Sequence, residues 1–205
     1  MLFVIGALAI GFLLLTAFVF FFPISFVDRE FSEEVQEHHN QFLDMVMKGI
    51  SWVGYMPAAP VIVVGTALIF YIFKYKKEAL FVVFTMLSGV ISSTIKLVIN
   101  RPRPSEPLVR IIVKTQQQSF PSGHVLFYVM FFGFLTLLMY EVKTIPKYIK
   151  LPVSVISLLF IFSIPYSRVY LGAHWFTDVT AGFLLGLICL YILSVLYLKQ
   201  LLSKK

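Results

Sequence analysis

Along the 205 residues, charge-free apolar stretches alternate with short polar segments, and six stretches approach the length of a membrane-spanning helix. Residues 1–27 carry no charge, with a dense run from Leu2 to Phe22 that Pro23 ends. The second run, 49–73, is closed by Lys74, Lys76, Lys77 and Glu78; the third, 79–95, ends near Lys96. After a polar segment come a fourth run near 123–140, a fifth at 151–166 and a sixth at roughly 175–198. A helix needs ~20 residues to cross ~30 Å of hydrocarbon, so the third and fifth runs are on the short side. The runs are unbroken instead of alternating apolar with polar, which predicts helices and not barrel strands. The expected fold class is all-α: a polytopic membrane protein, six transmembrane helices in a bundle, one domain over 1–205.

Between the first two runs, residues 28–48 hold six of the ten acidic residues. Phe31, Val35, Phe42, Met45 and Val46 recur there at helical spacing, with Glu33, Glu34 and Glu37 between them. This predicts an amphipathic helix against the outer membrane surface or over the bundle mouth. The pattern leaves open whether it gates access or only packs on the spans. His38 and His39 lie among acids with no cysteine nearby and read as solvated histidines, not a metal site. The first run has no basic leading region and no small-x-small site before Asp28, so a retained anchor is expected.

Composition narrows the class. With 59% hydrophobic residues, 13% charged and a mean hydropathy of +0.90, an ordinary soluble domain is excluded, and 22 Phe and 10 Tyr exclude disorder. The net charge of +7 comes without a basic stripe interleaved with aromatics, so no nucleic-acid partner is expected. The basic residues punctuate the apolar runs, as loops beside an anionic bilayer do. Cys189, the single cysteine, can form no intrachain disulfide. An even number of spans puts both termini on one side, with nine of the 17 Lys and Arg, Lys204 and Lys205 included. The other side holds eight, of which Lys96, Arg103 and Arg168 are candidate ligand groups. The positive-inside bias therefore favours cytoplasmic termini in a bacterial cytoplasmic membrane, and an extracytoplasmic site.

Ionisable residues at a membrane border are costly and default to functional candidates. Here Lys96 ends the third run and Arg101-Pro102-Arg103-Pro104 follows it. Pro121-Ser122-Gly123-His124 opens the fourth, Ser167-Arg168 closes the fifth, and His174 and Asp178 flank the start of the sixth. Alternating span directions place all four clusters on one side, opposite the termini. Lys96, Arg103 and Arg168 would repel one another without an anion, and guanidinium groups match phosphate oxygens bidentately. Ser122 can cap a helix whose N–H groups favour an anion, with Gly123 permitting close approach. His174 and Asp178, four apart, are expected one turn apart on one helix face, so that Asp178 accepts the Nδ1 proton and leaves Nε2 free. His174 is then the expected nucleophile toward phosphorus, and His124 the acid that protonates the leaving oxygen and later activates water.

The series Lys96-x6-Arg103-Pro104, Pro121-Ser122-Gly123-His124 and Ser167-Arg168-x5-His174-x3-Asp178 resembles the three-part signature of the type 2 phosphatidic acid phosphatase superfamily. Each part alone is weak, but all three match in order and no signature position departs. The resemblance implies metal-independent hydrolysis of a phosphomonoester or pyrophosphate through a phosphohistidine, with catalytic His174, His124 and Asp178. Lys96, Arg103, Ser122, Gly123 and Arg168 would bind phosphate, and no metal or other cofactor is implied. Bacterial members of the type that dephosphorylates phosphatidylglycerol phosphate or undecaprenyl pyrophosphate fit this short apolar chain; phosphatidic acid is a further substrate to weigh. The expected partners are a membrane lipid substrate and the bilayer, with no obligate protein partner.

Several other readings compete. A zinc site from His124, His174 and Asp178 is conceivable by ligand type, but three neighbouring cations disfavour a divalent ion. A transporter using the cations as an anion site is the alternative function, weakened by the absence of an obvious repeat and by the cluster's place at one border. Arg101 reads as a headgroup anchor, Arg110 and Lys114 as solvated loop charges, and Tyr166, Tyr170 and Trp175 as an aromatic belt.

Overall fold

The computed structural model describes residues 2–202 and contains, among them, nine helices and no strand. They are α1 (Leu2–Phe21), α2 (Phe26–Glu37), α3 (Gln41–Trp52), α4 (Ala58–Ile72), α5 (Lys76–Phe84), α6 (Leu87–Ile99), α7 (Gly123–Glu141), α8 (Lys147–Tyr170) and α9 (Phe176–Leu202). Five segments are long and apolar enough to cross a membrane: Phe3–Phe21, Lys76–Ile99, Gly123–Glu141, Lys147–Tyr170 and Phe176–Gln200. The sixth apolar helix, α4, has 15 residues and reaches ~22 Å at 1.5 Å per residue. Lys204 and Lys205, used in the charge comparison above, lie outside the described residues.

Four boundaries differ from the expected ones. The segment 28–48 forms two helices instead of one. Ser25 and Asp28 make a capping box that starts α2, and Asn40 accepts from the Leu43 N–H to start α3. Helix α3 then takes residues 49–52 from the second apolar run, and a turn through Gly54 and Pro57 precedes α4. The third span is broken at Thr85–Met86 into α5 and α6, with no Pro or Gly there. The Thr85 hydroxyl turns back to the Val82 carbonyl (2.6 Å) and that of Ser88 to the Thr85 carbonyl (2.7 Å). Helix α8 continues through Pro152 and Pro165 to Tyr170, which carries Arg168 on its last turn.

Helix α7 is the most buried and forms the centre of the bundle, with α8 and α9 packed along it. Two glycines bring α9 close: a Cβ on Gly182 would stand 2.7 Å from the Ser122 carbonyl oxygen, and one on Gly186 2.7 Å from Val129. Helix α1 packs beside α9 and presents Phe3, Leu13 and Phe21 outward. At one end of the bundle the polar segment 100–122 is pinned by Ser119 N–H to the Arg101 carbonyl and Ser122 N–H to that of Asp178, both 3.0 Å.

Candidate active site

Lys96, Arg103, Gly123, His124, Arg168 and His174 line one cavity of about 730 Å³ at that end. The four sequence-distant clusters therefore meet as expected, and the two imidazoles face one space. Lys96 is buried and donates to the Gln118 carbonyl (2.5 Å) and the Ser119 carbonyl (3.3 Å). Arg103 donates to the Gln117 and Ala173 carbonyls and lies 3.3 Å from His174 Nε2. Burial and the Arg168 charge bring its guanidinium down to about 10.

A guanidinium cannot accept a hydrogen bond, so Nε2 of His174 is the acceptor and Nδ1 carries the proton. Nδ1 stands 3.4 Å from Asp178 Oδ2, near the carboxylate but not aligned with it as a hydrogen bond. His174 is 2% exposed and is held neutral: burial first, then Arg103, Lys96 and Arg168, push its pKa well below the usual histidine range. The expected helical placement of this pair needs correction. Helix α9 begins at Phe176, so His174 lies in the preceding turn, where its N–H bonds the Arg168 carbonyl (3.3 Å). Asp178 reaches back into that turn and accepts from the Trp175 N–H (2.9 Å).

Ser122 occupies the N-cap position of α7, but its hydroxyl makes no capping bond. That Oγ and Nε2 of His124 are both buried with no protein partner among the described residues. His124 lines the cavity beside the first turn of α7, whereas Ser122 is fully buried behind Gly123, against Gly182 of α9, and does not line it.

Arg101 overturns its reading as a headgroup anchor. It is 2% exposed and bridges Asp28 (2.6 Å) and Asp178 (2.5 Å), while donating to Thr177 and the Pro23 carbonyl. Asp28 in turn accepts from the Thr177 N–H (3.0 Å) and hydroxyl (2.8 Å). One cation between two carboxylates fixes the face that Asp178 turns to His174, and the Ser119 hydroxyl adds a further donor to Asp178. Arg110 is likewise paired, with Asp44, and Tyr170 donates to the same carboxylate (2.7 Å). Tyr170 and Trp175 are fully buried and thus no part of an aromatic belt; the Trp175 indole donates to the Pro102 carbonyl.

Three further residues, Ser51, Gly54 and Tyr55, are not marked by the sequence pattern. Arg168 donates to the Tyr55 hydroxyl (2.6 Å) and to Ser51 Oγ (3.1 Å), and its guanidinium lies over the Tyr55 ring. Tyr55 also packs edge-on against His124, with ring centroids 4.6 Å apart. This wall needs Gly54, because a Cβ there would sit 2.4 Å from His124 Cδ2 and 2.9 Å from Tyr128.

Fold and site together define a class, a multi-pass membrane lipid phosphatase. Within it, the chain belongs to the PAP2 superfamily, whose sequence model matches residues 77–201. It is 28% identical over 199 residues to phosphatidylglycerophosphatase B of Bacillus subtilis, covering 92% of each chain. It is 31% identical over 125 residues to an undecaprenyl-diphosphatase of Sulfolobus acidocaldarius, covering 59% of this chain and 56% of that one. The crystal structure of the transmembrane PAP2 type phosphatidylglycerolphosphate phosphatase from Bacillus subtilis superposes with a TM-score of 0.79 at 25% identity, covering 95% of this chain and 96% of that one. Aquifex aeolicus LpxE shares the fold, with a TM-score of 0.61 at 24% identity over 80% of this chain and 92% of that one.

Proposed function

We propose that the protein removes the terminal phosphate of phosphatidylglycerol phosphate, undecaprenyl pyrophosphate or both, through a phosphohistidine and without a metal. The observation that carries this is the state of His174: Nε2 accepts from Arg103 while Nδ1 faces Asp178, in the cavity that also holds the unpartnered His124 Nε2. Nε2 of His174 attacks phosphorus as the bond to the leaving oxygen breaks, and His124 gives that oxygen its proton. His124 then takes a proton from water, whose oxygen attacks phosphorus, and His174 departs as inorganic phosphate is released. Lys96, Arg103, Arg168, the Ser122 hydroxyl and the amides at the start of α7 hold the equatorial oxygens as charge spreads over them. Asp178 fixes the His174 ring and stabilises its charged form.

A tail-bearing substrate suits the remainder of the cavity, where Ala59, Pro60, Val63, Met86 and Phe127 extend from the polar end. The site faces outward from a bacterial cytoplasmic membrane, on the basis of the loop charges. Purified protein in detergent with excess chelator is expected to release phosphate from these lipids. Turnover that vanishes on chelation and returns with magnesium or zinc would contradict the metal-free route.

A further inference from the structure

The cavity continues past the imidazoles. From Lys96 it runs along α6 toward the membrane interior, past Ser92 one turn away and Ser88 two turns away, opposite Val63 and Phe127. A hydroxyl inside a membrane helix ordinarily returns its proton to the carbonyl one turn back, since no water is there to take it. Thr16, Thr94, Thr136, Thr180 and Ser194 all do so, at 2.7–3.0 Å. Ser92 does not. It is 3% exposed, lines the cavity, and its Oγ has no partner among the described residues.

Packing does not explain the hydroxyl. Ser92 faces Gly123 where α6 meets α7, its Oγ 2.9 Å from the position a Cβ would take there. Alanine would serve that close approach equally well. An unmade bond at this depth, between a cation cluster and an apolar channel, calls for an acceptor brought by a ligand.

We infer that Ser92 Oγ is the donor of a second phosphate subsite: it binds an oxygen of the leaving group's own phosphate, one helical turn membrane-ward of the phosphate held at Lys96. Four residues of helix rise ~6 Å, a separation that the oxygens of two linked phosphates span. This subsite rests on the phosphatase reading above and deepens it. It favours lipids that carry two phosphates in series, as a diphosphate or as a phosphodiester followed by a monoester. A lipid whose single phosphate is esterified directly to diacylglycerol offers Ser92 no such oxygen.

The test compares kcat/KM of the wild-type chain, Ser92→Ala and Ser122→Ala in detergent on phosphatidylglycerol phosphate, undecaprenyl pyrophosphate and phosphatidic acid. Ser92→Ala is expected to lose about tenfold on the first two and less than twofold on the third, the size of one hydrogen bond to a charged group. Ser122→Ala, in the cradle of the transferred phosphate, is expected to lose equally on all three. A loss confined to one two-phosphate lipid assigns the subsite to that lipid's phosphate alone. Equal loss on all three substrates, or none, overturns the subsite; equal loss would point to the ester carbonyls or to packing. Should Ser92→Ala fail to fold, Ser92→Cys keeps the shape with only a weak donor and is expected to show the same pattern. A wild-type chain that turns over none of the three lipids would instead remove the phosphatase reading itself.

Discussion

Residues 77–201, which match the family, and the first 76, which the match leaves out, divide the site between them by layer. The matched region supplies the groups proposed to hold and attack phosphate: Lys96, Arg103, Ser122, His124, Arg168 and His174. The matched region holds Lys96 and Arg103 with its own carbonyls, and the first region supplies part of what holds the rest. Asp28 and the Pro23 carbonyl fix Arg101, which fixes Asp178; Ser51 and Tyr55 fix Arg168; Gly54 lets its turn lie against His124. Three neighbouring cations are tolerable while unliganded because the protein's own carbonyls and hydroxyls occupy them, and those partners come largely from other elements. The first region thus contributes to a positioning frame that the matched region shares.

The two layers differ in how a substitution is expected to act. The largest effect falls in the matched region, where His174→Ala should lower turnover by about 10⁴-fold or more with the fold intact; residual activity within tenfold of wild type would dismiss it as nucleophile. Next comes the frame: Asp28→Ala removes one of the two carboxylates that Arg101 bridges and the acceptor of the Thr177 N–H, and should cost roughly 1–3 kcal/mol of stability, read as thermal unfolding in detergent. An unchanged melting temperature would show that Asp28 bears no such role. Tyr55→Phe keeps the ring against His124 and removes the oxygen that Arg168 bonds, so kcat/KM should fall roughly tenfold with unfolding unaltered. A variant at wild-type rate would reduce Tyr55 to packing.

Acidity separates the layers in another way. As the proposed nucleophile His174 could attack only when unprotonated, and burial with three cations depresses its proton affinity. The acid limb that His174 sets on kcat/KM should therefore lie below the ordinary histidine value of ~6.5. An acid limb centred at or above that value would contradict the site's electrostatics. The smallest effect is expected at the rim, where Arg110→Ala breaks a partly exposed pair with Asp44 and should cost about 1 kcal/mol or less. A larger loss would extend the frame to the outer surface.

How much of this the sequence displayed follows the same line. Apolar runs marked the spans because length and absence of charge are local properties. The signature residues were visible because three short motifs fall at span ends. The frame was not, since its bonds join residues 73 to 149 positions apart, as in Arg101 with Asp28 and Thr177 with Asp28. Arg101 and Arg103 are each followed by a proline; the spacing from Lys96 singles out Arg103, but only the carboxylates across the fold give Arg101 its role. The break in the third span was equally hidden, because Thr85 and Met86 carry no breaker signal and the interruption arises from hydroxyls bonding backward. Helix α8 shows the reverse case, with two internal prolines that the surrounding bundle accommodates.

The central claim is that His174 carries the phosphoryl group while His124 serves the protons. Acid-quenched enzyme exposed to radiolabelled lipid phosphate should yield labelled protein whose phosphate maps to His174. His124→Ala should retain or accumulate that label, and His174→Ala should show none. Label mapped to His124, or label that survives in His174→Ala, would contradict the account.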